Sequence, residues 1–257
     1  MIFLREISKE DIPIINKWRN DKELQASLGA PFRYVNIETD QLWFDEYLTK
    51  RSKNIRLAIC LADTNQMVGV CYLVNIDYVS RIAENAMMIG EKNYQNKEIG
   101  LIAATMLADY GFLSLNLNRI YSLIIEDNHR ALNLNDAFGF HKEGLLRQSL
   151  YKNGIYYNQV VLSLLKHEYI ENMPSIKNRI AKFMTRKIRN QMAAHDYGIA
   201  EISARWAISE YPDTSATPSL LSLLVKALEE GGKSEEAEKT RNCLAEKYPG
   251  WKDRGEG

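Results

Sequence analysis

The sequence predicts an α/β domain built on a mixed, mostly antiparallel sheet with flanking helices, followed by a small all-α helical-repeat domain. Three observations carry this. Over residues 1–169, short aliphatic runs alternate with segments of helical period. From Met173 onward only helical patterns remain. Two of those, "IAEISARWAISEYP" from Ile199 and "EAEKTRNCLAEKYP" from Glu236, resemble each other at an offset of 37 residues.

The elements follow in order. "IFLREI" is a first strand. "SKEDIPIINKWRND" is a helix, with Ser8 as its N-cap, acids in the first turn, and Ile12, Ile15 and Trp18 on one face. "IETDQLWFDEYLTKR" is a second helix with Leu42, Phe44 and Leu48 among its apolar positions. "IRLAICLAD" and "QMVGVCYLVNID" form a hairpin, and "RIAENAMMIG" a further strand. "NKEIGLIAATMLADYGFLSLN" reads as one long helix and "RIYSLIIE" as a buried strand. "NHRALNLNDAFGF" is a helix opened by Asn128 and closed by Gly139-Phe140. "GLLRQSLYKNGIYYNQVVLSLL" is two strands around a Lys-Asn-Gly turn. The expected domains are residues 1–169 and residues 170–257.

The helical part opens on "SIKNRIAKFMTRKIRNQM", which carries six Lys or Arg and no acid from Ile176 to Asn190. Ile176, Ile180, Phe183 and Ile188 give it an apolar stripe. Such a helix either packs with a solvated basic back or lies on an anionic surface. The repeat resembles tetratricopeptide units, whose period is about 34. Two units are fewer than the roughly three needed for independent stability, so they are expected to pack on the first domain or on a protein partner.

Composition narrows the function. The formal net charge is zero, which gives no bulk attraction for nucleic acid. No run of about 18 apolar residues exists, so no transmembrane segment is expected, and the N-terminus lacks the pattern of a signal peptide. Cys60, Cys71 and Cys243 are too scattered for a metal site and read as idle thiols. The expectation is a cytoplasmic protein without a metal.

The informative loop is "MMIGEKNYQNKEIG", where a strand ends near Ile89 and a polar loop from Gly90 to Lys97 enters a helix. Free backbone N–H groups at that helix N-terminus suit an anion, and a pyrophosphate fits. Gly90 and Gly100 reduce crowding there, and Lys97 adds positive charge.

Together these motifs resemble the GNAT superfamily of acetyl-CoA-dependent N-acetyltransferases. The family loop Gln/Arg-x-x-Gly-x-Gly/Ala falls on Gln95-Asn96-Lys97-Glu98-Ile99-Gly100, with Glu98 in place of the first glycine. The motif Asn-x-x-Ala-x-x-Leu-Tyr-x-x-x-Gly-Phe falls on Asn128, Ala131, Leu134, Gly139 and Phe140, with Asn135 where the family has Tyr. The resemblance covers residues 1–169. Trp18-Arg19-Asn20 and the final hairpin are similar to the branch of ribosomal-protein Nα-acetyltransferases and amino-sugar-nucleotide N-acetyltransferases. Asn158 stands where that branch often has Asp.

The resemblance implies acetyl-CoA as cosubstrate and direct attack by an amine in an opening between "AENAMMIG" and "RIYSLIIE". Pantetheine would bind backbone near Met88 and Ile89, and the pyrophosphate would take Gln95, Asn96, Lys97, Glu98, Ile99 and Gly100, beside Asn128. An N–H near Met88 or Ile89 would serve as oxyanion donor. Glu84 is the candidate base, with His141 as a second. Asn135 can donate a hydrogen bond to the thiolate but not a proton. Trp18, Arg19, Asn20 and Tyr157 are the candidate acceptor residues, because aromatic faces suit a sugar or base and Arg suits a diphosphate. The leading acceptor is a small amine, that of a nucleotide-linked amino sugar. The alternatives are a protein N-terminus docked through the helical repeat and a non-catalytic acetyl-CoA-binding scaffold.

Overall fold

The computed structural model describes residues 1–95 and 98–252. β1 (Ile2–Glu6) leads through a single 3-10 turn (Lys9–Asp11) into α1 (Ile12–Arg19). Ser8 and Asp11 close a reciprocal capping box, and Arg5 donates to both oxygens of Asp11 at 2.7 and 2.8 Å. A short helix that periodicity did not signal, α2 (Lys22–Ala26), follows. Asp21 caps it by accepting from the amides of Glu23 and Leu24 at 3.0 and 3.1 Å. α3 (Ile37–Thr49) starts on the cap Asn36.

The sheet comprises β1, β2 (Ile55–Leu61), β3 (Met67–Asp77), β4 (Ile82–Ile89), β5 (Arg119–Ile125), β6 (His141–Lys152) and β7 (Ile155–Leu165). Its spatial order is β1-β2-β3-β4-β5-β7-β6, and only β4 and β5 run parallel. The β6–β7 turn has Asn153 at φ 51 and Gly154 at φ 83, the two left-handed residues of a type I′ hairpin. On one face, α1 and α3 bury Ile12, Ile15, Trp18, Phe44 and Tyr47. On the other lie α4 (Ile99–Asp109) and α5 (His129–Phe138). The long helix expected through Asn116 stops as an α-helix at Asp109 and widens into a π turn over Tyr110–Ser114. Gly111 sits close to β5 there: a Cβ would stand 2.9 Å from Ile120 Cδ1 and 3.1 Å from Leu73 Cδ1, so a larger residue would have to displace those side-chain ends.

The chain divides into two compact units, Ile2–Asn172 and Met173 onward, the latter grouped with Met1. The division lies inside α6 (Lys166–Ala193), so no loop marks it. Ile176, Ile180, Met184 and Ile188 of α6 are buried, while Phe183 is half-buried. In the second unit α8 (Thr217–Glu230) packs against both α7 (Tyr197–Glu210) and α9 (Ser234–Lys247).

The 37-residue offset is also visible in the backbone. His195 and Gly232 are left-handed at φ 61 and φ 75, just before α7 and α9. Tyr211 and Tyr248, each ahead of a proline, end those helices at φ −132, ψ 57 and φ −132, ψ 62. Ala200 and Ala237 are both buried. At the same offset, α8 falls on residues 180–193, the end of α6. Among the described residues no helix is long and apolar enough to cross a membrane.

Candidate active site

β4 and β5 pair only at Ile82–Arg119, Ala83–Ile120 and Glu84–Tyr121. β4 then runs on to Ile89 and β5 to Ile125 without pairing each other, which opens a wedge in the sheet. The ladder to β3 decides which β4 amides face it. Gly90 N–H donates to the Val68 carbonyl at 2.9 Å. By antiparallel alternation Met88, Ala86 and Glu84 bond toward β3, whereas the amides of Met87 and Ile89 face the wedge. Of the two expected backbone contacts, Ile89 is therefore on the open side and Met88 is turned away from it.

A cavity of about 480 Å³ passes through the wedge and is lined from both faces of the sheet. On the α4–α5 side it meets Ala104, Leu107, Phe112, Leu134, Asn135 and Phe138. On the α1–α3 side it meets Arg19, Trp43, Arg56, Tyr72 and Glu84. A strap after α2, Ser27 to Ala30, forms another wall. Its carbonyls are held by side chains: Asn128 Nδ2 donates to Ser27 O at 2.8 Å and Lys152 Nζ to Leu28 O at 2.8 Å. Lys152 also donates to Gln25 O. Gly29 lies so close to β5 that a Cβ would sit 3.2 Å from Leu123 O.

Glu84 is half-buried at the mouth of the wedge. Its Oε2 accepts from Asn75 Nδ2 at 3.1 Å and faces Tyr121 Oη at 3.5 Å. Asn75 stands at the irregularity where the β3–β4 register slips between Val74 and Asp77, with left-handed φ 54. The bulge aims its amide at the carboxylate. Burial, and then the Glu84 charge, push the Tyr121 hydroxyl up, so Tyr121 remains a donor. On the opposite face Asn135 is 9% exposed. Its Nδ2 donates to Ala131 O at 2.8 Å, and its Oδ1 lies 3.5 Å from Ser122 Oγ, at the point where β5 leaves β4.

The α1–α3 side of the cavity is rich in guanidinium groups. Arg19 pairs with the fully buried Asp40, which also accepts from Asn16 Nδ2 at 2.6 Å. Arg56 lies 4.7 Å from the Trp43 ring, 4.9 Å from Tyr72 and 5.7 Å from Tyr47. Burial lowers its pKa from the usual arginine range.

At the entry to α4, Glu98 takes the left-handed conformation, φ 57, as N-cap of the helix. A Cβ on Gly100 would meet nothing nearer than Met87 Cε at 3.6 Å, so protein packing alone does not require glycine there. Gln95 donates to Ile89 O at 3.0 Å and accepts from Arg130 at 3.3 Å. Asn96 and Lys97 lie outside the described residues. Asn128 caps α5 by accepting from Ala131 N at 3.1 Å and lines the cavity.

Residues 2–141 match the family described as acetyltransferase (GNAT) domain. The chain belongs to the GNAT acetyltransferases. Similar proteins include the N-acetyltransferase p20 of Bacillus licheniformis, 31% identical over 65% of this chain and 93% of that one. The spermidine N(1)-acetyltransferase of Escherichia coli (strain K12) is 27% identical over 65% of this chain and 87% of its own. A crystal structure of spermidine N-acetyltransferase from Vibrio cholerae in complex with CoA and spermine superposes with a TM-score of 0.62 at 23% identity. It covers 66% of this chain and 98% of that one, a likeness of fold.

This GNAT domain is an acyltransferase that moves the acetyl group of acetyl-CoA to an amine. The chain fits the cosubstrate at two points: open amides along the wedge, and the start of α4, where the helix dipole favours an anion. Several expected acceptor residues have other work. Trp18 is 2% exposed, its Nε1 donates to Glu91 at 3.1 Å, and its ring packs so tightly on Gly90 that a Cβ would lie 2.1 Å away. Gly90 thus serves Trp18 packing. Asn20 bonds Asn16 O at 2.9 Å and Val35 O at 2.8 Å. Tyr157 pairs with Leu150 across the final hairpin and does not line the cavity. His141 is exposed, with Nε2 3.3 Å from Glu168, and is also outside the cavity lining. Arg19 does line it. The residues missed by sequence reasoning are Asn75, Tyr121, Ser122, Trp43, Arg56 and Tyr72, which reach the site from strands and helices far apart in the chain. A strand-embedded Arg, as in "IRLAICLAD", was the one available signal.

Proposed function

We propose that this enzyme acetylates the amine of a nucleotide-linked amino sugar by direct attack on acetyl-CoA. The supporting observation is the two-ended chamber on the α1–α3 side, with Glu84 at the mouth of the wedge and Arg19 and Arg56 across from it. Acetyl-CoA supplies the activated acetyl group. Glu84, oriented by Asn75 and Tyr121, takes the proton from the incoming ammonium. The amides of Met87 and Ile89 are the candidate donors to the carbonyl oxygen. Gln95, Glu98, Ile99, Gly100 and Asn128, together with Asn96 and Lys97, are read as the residues that take the pyrophosphate and pantetheine. Asn135 hydrogen-bonds the leaving sulfur. No strong acid is needed, because a thiol of pKa about 8.5 leaves readily as thiolate. Trp43 and Tyr72 offer ring faces for a sugar or base.

A second reading, a polyamine acceptor, is favoured by the activity named for the Escherichia coli relative. The guanidinium groups weigh against it, since a polycation meets repulsion there. The helical unit is read as two tetratricopeptide-like hairpins on the strength of its 37-residue repeat, with docking of a partner as its role.

A panel of amines with acetyl-CoA, read by release of free thiol, tests the assignment. Turnover of an amino-sugar nucleotide well above spermidine is expected, and the reverse ranking would replace this reading by the second. Glu84→Gln should lower kcat by about 10²–10⁴. Asn135→Tyr should change kcat by less than about tenfold, and a gain of several orders would mean the site is built for a tyrosine acid.

A further inference from the structure

Arg19 and Arg56 share one chamber but differ in their partners. Arg19 has Asp40, itself fully buried and completed by Asn16. Arg56 forms no ion pair with a carboxylate among the described residues, and its buried Nε has no hydrogen-bond partner there. Around it stand rings of Trp43, Tyr47 and Tyr72, which hold the guanidinium plane by cation–π contact without supplying an anion. An uncompensated guanidinium in a cavity wall is costly, and a ligand oxyanion would satisfy it.

The sheet register sets its distance from the base. Arg56 pairs with Tyr72, Tyr72 with Ala86, and Glu84 lies two residues further along β4. Two strand spacings and two residues of rise put the Arg56 and Glu84 backbones about 12 Å apart, before either side chain reaches inward. An acceptor can therefore span from an amine at Glu84 to an anion at Arg56.

We propose that Arg56 anchors a phosphate group of the acceptor and is a specificity-determining residue for the transfer. This rests on the acetyltransferase reading above and adds the anion that the acceptor carries. Phosphate suits the place because two guanidinium groups lie near each other and, among the described residues, only one carboxylate, Asp40, pairs with them at that end. The nearby Arg19 charge also contributes to the lowered pKa of Arg56, after burial. The same positive pair disfavours an acceptor with several ammonium groups.

The test uses the full chain with glucosamine, glucosamine 6-phosphate and spermidine, measured by thiol release. The phosphorylated amine should exceed glucosamine in kcat/KM by roughly 10- to 100-fold, the worth of a charge-assisted hydrogen bond. Arg56→Gln should abolish that preference, chiefly by raising KM for the phosphorylated amine. Arg56→Lys should retain part of it. Acetyl-CoA binding by calorimetry verifies that each variant is folded. If Arg56→Gln does not fold, the preference of the unmodified enzyme and the Arg56→Lys result decide. An unchanged ratio in Arg56→Gln, or a preference of the unmodified enzyme for spermidine, overturns the proposal. If no amine is acetylated although acetyl-CoA binds, the functional reading fails instead. Calorimetric binding of glucosamine 6-phosphate then judges Arg56: loss in Arg56→Gln supports its role, and equal binding by both overturns it.

Discussion

Glu98 holds a backbone angle, φ 57, that costs an L residue with a long side chain about 1–2 kcal/mol. The family glycine it replaces is explained by that angle. Glu98→Gly should raise stability by about 0.5–1 kcal/mol, less than the full strain because glycine loses more entropy on folding. Removing the carboxylate beside the expected pyrophosphate should also tighten acetyl-CoA binding by about fivefold, from an exposed charge term near 1 kcal/mol. Gly100 is expected to behave in the opposite way. Ala fits its protein surroundings, so Gly100→Ala should leave Tm equal or higher while weakening acetyl-CoA binding at least tenfold. Calorimetry for binding and thermal melts for stability separate the two, and equal acetyl-CoA affinity in Gly100→Ala would show that nothing approaches that backbone. These positions were legible in the sequence because the loop and the Asn128–Phe140 helix are local motifs. Arg56 and Tyr121 were not, because they meet Trp43 and Glu84 only in the folded chain, and Asn75 reaches Glu84 through a hairpin irregularity that hydrophobic period does not show.

At the scale of elements, the order of the main strands and helices follows from hydrophobic period, and the structure keeps it. What period does not show is where a strand stops pairing. The parting of β4 from β5 after Glu84 and Tyr121 is a tertiary fact, since both strands remain apolar beyond it. The strap after α2 is likewise fixed by Asn128 and Lys152, about a hundred residues downstream, through carbonyls that carry no sequence signal. Burial pushes the Lys152 ammonium pKa down despite those bonds. The helical repeat, by contrast, makes a backbone prediction. His195 occupies the left-handed position that its counterpart Gly232 fills without strain. His195→Gly should stabilise the chain by about 0.5 kcal/mol, net of the contact between its Nδ1 and Tyr197 Oη at 2.6 Å. That corresponds to a rise in Tm of about 1–2 °C for a chain of this size. A fall in Tm would mean that the His195–Tyr197 contact outweighs the strain.

For the whole molecule, a formal charge of zero says little, because the charges that matter are placed locally. Glu84, Arg19, Asp40 and Arg56 sum to nothing, yet they divide one chamber into a carboxylate end and a guanidinium end. All residues that line the cavity fall between Ile15 and Leu164, inside the unit Ile2–Asn172. Chemistry and acceptor choice are therefore expected to reside in that unit. A chain ended after Asn172 keeps Tyr169, which is fully buried, stacks on Phe112 at 5.1 Å and donates to Asp109 at 2.9 Å. Its own Tm, read from a thermal melt, sets the temperature at which activity is compared. Its kcat/KM for a small amine, measured below that Tm, should stay within about threefold of the full chain. A rise of more than tenfold in acceptor KM, with acetyl-CoA binding intact, would instead place an acceptor-recognising group among the helices after Asn172 and turn attention to a protein substrate.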